Sequence, residues 1–152
     1  MWYKIILFLA LNFLALAIGG IATGKGVTTE WYATLNKAPW TPPGWVFGIA
    51  WTTIMICFAF YMAYAYNSGL SKGFIIGIYA LQWVLNVAWN PVFFTLHKTN
   101  AALLIIVLLT ALVVYFLFSF FAELKVKSLL ILPYVIWMFI ATSLNAYICI
   151  KN

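Results

Sequence analysis

The chain has 152 residues, 67% of them hydrophobic and 20% aromatic, with a net charge of +6 from eight basic residues, all Lys, and two acidic ones, both Glu. So greasy a composition leaves nothing over for a soluble domain. The lysines are scattered along the connections instead of clustering on one face, which excludes a nucleic-acid surface and suits helix ends beside anionic headgroups.

Charge-free stretches run over 5–24, 38–71, 73–97, 99–122 and 128–150. About 20 apolar residues cross a hydrocarbon core of roughly 30 Å, and a helix closes its own backbone hydrogen bonds there. The sequence therefore predicts an all-α integral membrane protein, one domain over 1–152. Its five transmembrane helices, near 4–24, 43–66, 73–96, 99–122 and 128–150, form a single bundle with a structured loop between the first two. Lysine placement sets no orientation: Lys4, Lys72, Lys125 and Lys127 fall on one side, and Lys25, Lys37, Lys98 and Lys151 on the other.

Lys4, the apolar run after it and Ala15-Leu16-Ala17 imitate a signal peptide. The run continues to Gly24 without a charge, however, and reads better as a span. Ala15 with Gly19 and Gly20 with Gly24 are small-residue pairs at spacing four, which let another helix approach the backbone closely. Thr28-Thr29-Glu30 is suited to capping a short surface helix that carries Trp31, Tyr32 and Leu35.

Half of the eight tryptophans lie between Trp31 and Trp51, in WYATLNKAPWTPPGWVFGIAW. Pro39, Pro42 and Pro43 each fix φ and remove a donor, so this loop can be rigid without regular structure. Thr41 is expected as the N-cap of the second span, with Pro42 at its first helical position. Trp40 and Trp45 also fit an interfacial aromatic belt, but a belt needs no proline scaffold.

In the third span Gln82, Asn86, Trp89, Asn90 and Phe93 share one helical face, with Pro91 predicting a kink beside it. The fourth span is almost purely aliphatic and aromatic and is assigned to packing and lipid contact. Pro133, Tyr134, Trp137, Ala141, Leu144 and Asn145 form a similar face on the fifth. Cys57 and Cys149 fall inside spans and read as small buried hydrophobes. Glu30 and Glu123 lie in connections and His97 ends the third span, so ion coupling and metal binding both lack residues. No nucleophilic triad, phosphate loop or dinucleotide fingerprint is present. What remains is a cavity of aromatic rings, prolines and a few amides, suited to flat hydrophobic molecules.

The loop WYATLNKAPWTPPGWVFGIAW, the stripe LQWVLNVAW and the pieces PYVIW and ATSLN, in this order, resemble the tryptophan-rich sensory protein or translocator protein family (TspO/MBR) in its bacterial form. The resemblance implies a five-helix protein of the bacterial cell membrane, often a homodimer. It implies a pocket under the first loop that binds porphyrins, related tetrapyrroles and isoquinoline-type compounds. No cofactor is required, and protoporphyrin IX or a related tetrapyrrole is the expected ligand. Carried over, the pocket positions are Tyr32, Trp40, Pro42, Phe47, Trp51, Asn86, Trp89, Asn90, Trp137, Ala141 and Leu144.

The leading expectation is a receptor or sensor. The alternatives are light-dependent porphyrin breakdown, in which the resemblance implicates Trp51 and Trp137, and transport of small hydrophobic molecules. Leu144-Asn145-Ala146-Tyr147 with Lys151 fits the loose sterol pattern, but Ile150-Lys151 replaces the family's aromatic-Arg ending, so sterol binding carries little weight. A further departure is Ile105-Ile106, which stand where relatives often have a polar residue.

Overall fold

The computed structural model describes residues 1–152. Its helices are α1 (Trp2–Gly26), α2 (Glu30–Thr34), α3 (Gly44–Tyr66), α4 (Lys72–Phe94), α5 (Thr99–Ser119), α6 (Phe121–Leu124) and α7 (Leu132–Lys151), with a 3₁₀ segment at Lys125–Ile131 between the last two. Five helical stretches are long and apolar enough to cross a membrane: α1, α3, α4, α5 and the final one that contains α7. They close into a ring in which α1 packs on α3 and α4, α4 on α5, α5 on α7, and α7 back on α3.

Two boundaries differ from the sequence expectation, and proline explains both. Helix α3 begins at Gly44 with Pro43 as its N-cap and no side-chain cap, instead of at Pro42 with Thr41 as cap. A residue that precedes proline is pushed out of the α region, so Pro42 cannot open the helix. Thr41 instead closes a turn, its hydroxyl donating to the Ala38 carbonyl at 2.7 Å. The last span was expected from 128, yet α7 starts at Leu132, with Pro133 in its first turn. An interior proline would clash with the carbonyl four residues back, so the 3₁₀ segment fills the gap. Lys125, at φ 51, breaks the chain direction at the head of that segment. Pro91, by contrast, sits inside α4, which continues only as far as Phe94.

The small-residue pairs of α1 separate. A Cβ on Gly19 would stand 2.5 Å from Asn90 Nδ2, so the absence of a side chain lets α1 and α4 meet there. Gly20 and Gly24 have open space beside them.

The two halves of the bundle are filled differently. Away from the 27–43 loop, Phe58 packs its ring against Tyr61, Tyr79, Phe116 and Tyr134. Several buried polar groups in this half bond across helices, although Gln82 Oε1 and Ser128 Oγ have no partner: Asn12 Nδ2 donates to the Met55 carbonyl at 3.0 Å and Tyr79 donates to Asn12 Oδ1 at 2.7 Å. Gln82 Nε2 meets the Tyr134 hydroxyl at 2.6 Å. Such bonds average about 0.6 kcal/mol each in a membrane, so large interlocking rings dominate this solid half. Toward the loop the facing positions become small, at Ala15, Gly19, Gly48 and Ala141, and a space opens.

Candidate functional site

The loop that roofs this space is ordered from its first residues. Thr29 caps α2 as expected, its Oγ1 accepting from the Tyr32 N–H at 3.3 Å. The cap aims the short helix so that Trp31 packs on Phe93 at 5.7 Å between ring centroids and stacks on His97 at 3.9 Å. His97, an exposed residue past the end of α4, adopts φ 54 to present that face. Tyr32 turns inward and meets Phe94 at 5.6 Å. Burial raises the Tyr32 phenol above its ordinary value near 10, because desolvation disfavours the charged form. It therefore stays a neutral hydrogen-bond donor at physiological pH.

The far part of the loop is clasped to α7. Asn36 N–H donates to Asn152 Oδ1 at 2.8 Å and its side-chain amide to the Lys151 carbonyl at 3.3 Å. Trp40 Nε1 donates to Ser143 Oγ at 3.1 Å and its ring meets Tyr147 edge-on at 5.4 Å.

Below the roof lies a cavity of about 630 Å³. Tyr32 and Pro42 line it from the loop, Phe47 and Trp51 from α3, Asn86, Trp89 and Asn90 from α4, and Trp137 and Ala141 from α7. All were expected there. Leu144 lines instead a side pocket of about 60 Å³, which shares Tyr32, Phe47, Trp89 and Ala141 with the main space. Trp40 is the correction: it lines neither and is 54% exposed on the outside of α7. Its bond to Ser143 turns the indole outward, so it fastens the roof instead of forming its underside.

Sequence reasoning missed two walls. Helix α1 contributes Ala15, Leu16, Gly19, Gly20 and Thr23, with Val27 just past its end, and α5 contributes Ile106 and Leu109. The fourth span was assigned to packing and lipid alone, but closing a five-membered ring brings every helix to the interior. Helix α5 is not devoid of polar contacts either, since the Thr110 and Thr142 hydroxyls meet at 2.9 Å. The small residues of α1 were the available signal: the spacing that allows close packing on α4 at Gly19 also leaves the cavity wall bare. Cys57 and Cys149 are free thiols, half-buried and away from both pockets.

The polar groups of the wall fall into two kinds. Asn90 is fully engaged, its Nδ2 donating to the Asn86 carbonyl at 3.0 Å and its Oδ1 accepting from Thr23 Oγ1 at 2.8 Å. Trp89 is held by its N–H on Asn145 Oδ1 at 2.9 Å, and Asn145 Nδ2 reaches the Thr99 carbonyl at 3.0 Å. These two residues are positioned by structure. The Asn86 side chain is 7% exposed and engages no protein partner through its amide, although its own backbone is bonded. The Trp137 indole N–H is likewise buried without a partner. Its ring is set edge-on to Phe47 at 5.1 Å, while Trp51 stands edge-on to Tyr134 at 6.0 Å. The arrangement is an aromatic slot with unspent hydrogen-bonding capacity, and its lining holds threonine and tyrosine hydroxyls but no carboxylate, histidine, cysteine or lysine.

A model of the TspO/MBR family matches residues 7–151. A tryptophan-rich sensory protein of Cereibacter sphaeroides is 37% identical over 90% of this chain and 87% of its own length. A tryptophan-rich protein TspO of Chlorobaculum tepidum is 34% identical over 93% of this chain and 94% of its own. The translocator protein of Homo sapiens is 29% identical over 80% of this chain and 73% of its own. With the roofed five-helix cavity and these matches across nearly its whole length, the chain belongs to the TspO/MBR family of multi-pass membrane sensor and translocator proteins.

Proposed function

We propose that the protein is a membrane receptor that binds porphyrins and related flat hydrophobic molecules in the cavity beneath the first loop. The observation that carries this reading is the cavity itself. Its volume of about 630 Å³ lies within the roughly 300–1,000 Å³ usual for pockets that bury drug-sized ligands. Six aromatic residues, Tyr32, Phe47, Trp51, Trp89, Phe94 and Trp137, supply walls against which an extended π-system can stack. The unengaged amide of Asn86 offers both a donor and an acceptor to a polar ring edge. A ligand drawn from the membrane loses little solvation on entering so apolar a space, and the amide then fixes its orientation.

Titration of the purified protein with protoporphyrin IX, followed by tryptophan fluorescence, tests the reading. Saturable quenching is expected. Quenching that rises linearly, as for a free indole in the same micelles, would refute it.

A second reading, light-dependent breakdown of the bound porphyrin, is favoured by one observation: Trp51 and Trp137 line the same cavity. It predicts loss of the Soret band in light and oxygen at a rate above that of porphyrin in empty detergent. The paired changes Trp51→Phe and Trp137→Phe abolish the excess rate while binding survives; an unchanged rate removes the reading.

A further inference from the structure

The side pocket poses a question that the main cavity does not. Its volume is about 60 Å³, a tenth of the main cavity's, room for a small polar group but not for a ring system. Among its lining residues is Lys37, half-buried, with Nζ 4.5 Å from the centre of the Tyr32 ring. The other lysines on this side of the bundle, Lys25, Lys98 and Lys151, are exposed. No ion pair restrains Lys37: the chain has only two acidic residues, and both, Glu30 and Glu123, are exposed.

The remaining polar groups of the side pocket are already spent. Asn145 is tied to Trp89 and Thr99, and the Thr41 hydroxyl to the Ala38 carbonyl. The Lys37 ammonium, set over the Tyr32 ring at 4.5 Å, and the Tyr32 hydroxyl make no hydrogen bond within the protein. A lysine ammonium offers three donors and no acceptor, so the pocket presents donors and a positive charge to whatever enters it. Tyr32, Phe47, Trp89 and Ala141 are walls of both spaces, so one molecule can lie in the cavity and extend a substituent toward Lys37.

We propose that the side pocket is an anion subsite in which Lys37 pairs with a carboxylate carried by the occupant of the main cavity, which makes acidic flat amphiphiles the preferred ligands. This rests on the reading of the cavity as a site for flat apolar molecules and adds to it the chemistry of their polar edge. Lys37 reaches the carboxylate from a half-buried position where screening by water is incomplete. The Tyr32 hydroxyl, a neutral phenol at physiological pH, adds a second donor.

The test uses full-length protein in an uncharged detergent and two probes that share one ring system, protoporphyrin IX and its dimethyl ester. Wild type is expected to hold the acid about tenfold more tightly than the ester, equivalent to about 1.4 kcal/mol. In Lys37→Met the acid loses that advantage and the ester is unaffected; Lys37→Arg keeps the preference, and so does Lys98→Met, which removes an exposed lysine on the same side. Circular dichroism checks that each variant is folded.

An unchanged preference in Lys37→Met, or an equal loss in Lys98→Met, overturns the subsite and leaves the cavity reading intact. If wild type binds acid and ester equally, the subsite is likewise refuted. If neither probe saturates the wild-type protein, the cavity reading fails and the subsite with it. A Lys37→Met effect that falls on acid and ester alike, and only in nanodiscs carrying phosphatidylserine, assigns the cation to a lipid headgroup and overturns the proposal.

Discussion

Asn145 is the residue whose loss should cost the cavity most per atom removed. It is 2% exposed and joins three helices, accepting from Trp89 Nε1 of α4 at 2.9 Å and donating to the Thr99 carbonyl of α5 at 3.0 Å, from its own place on α7. Asn145→Leu keeps the volume and removes both bonds. Interhelical hydrogen bonds in membranes average about 0.6 kcal/mol, but stranding a buried donor adds about 1–3 kcal/mol, so the second effect dominates. The expected destabilisation is about 2–4 kcal/mol. Trp89→Phe strands the Asn145 oxygen in the same way, while the double change strands neither group of that bond. The two costs should therefore fall short of adding by about 1–2 kcal/mol, well outside the roughly 0.3–0.5 kcal/mol scatter of independent sites. Unfolding in mixed micelles with increasing sodium dodecyl sulfate, followed by circular dichroism, measures all three variants. Additive costs, or an Asn145→Leu protein as stable as wild type, would refute the reasoning.

Gly19→Ala should destabilise by about 1–3 kcal/mol, because its Cβ would press on Asn90 Nδ2 and dislodge Asn90 from Thr23 and the Asn86 carbonyl. Gly24→Ala, with nothing nearby, should unfold as wild type does in the same titration. Ala141→Phe places a ring in the space shared by both pockets; it is expected to abolish saturable protoporphyrin quenching while the helical circular dichroism persists. Tyr32, whose pKa is raised above 10 by burial, favours the folded loop at any pH below 10 and loses that contribution as pH rises through the raised value. A wild-type protein should thus weaken above pH 10 more steeply than Tyr32→Phe, and parallel profiles for the two would show that the phenol is not buried by folding.

The parts that could be read from residues alone are those with a local cause. The spans followed from where lysines and glutamates interrupt the chain, and α2 from Thr29 set before an acidic first turn. The stripe Gln82, Asn86, Trp89 and Asn90 followed from a polar period inside an apolar segment, since amides must face protein there. Trp40 was misplaced because proline spacing implies stiffness but not direction; its orientation depends on Ser143 and Tyr147, more than a hundred residues on. Ile106 and Leu109 look like any lipid-facing aliphatic residue, and only the closed ring of helices turns them toward the cavity. The start of α7 was readable in retrospect from Pro133, whose preference for a first helical turn outranks the hydrophobicity of the residues before it.

The clasp between the first loop and α7 also bears on how the protein is made. Trp40 and Asn36 find their partners 103 and 116 residues further along the chain, and chains emerge and begin folding from the N-terminal end at about 5–20 residues per second. The roof residues are therefore synthesised early and wait several seconds, unfastened, until the last span has been inserted. During that interval the nascent cavity is open at its top. Closure of the cavity and completion of the bundle are thus one event, and a chain stalled before α7 would display the aromatic lining without its last wall.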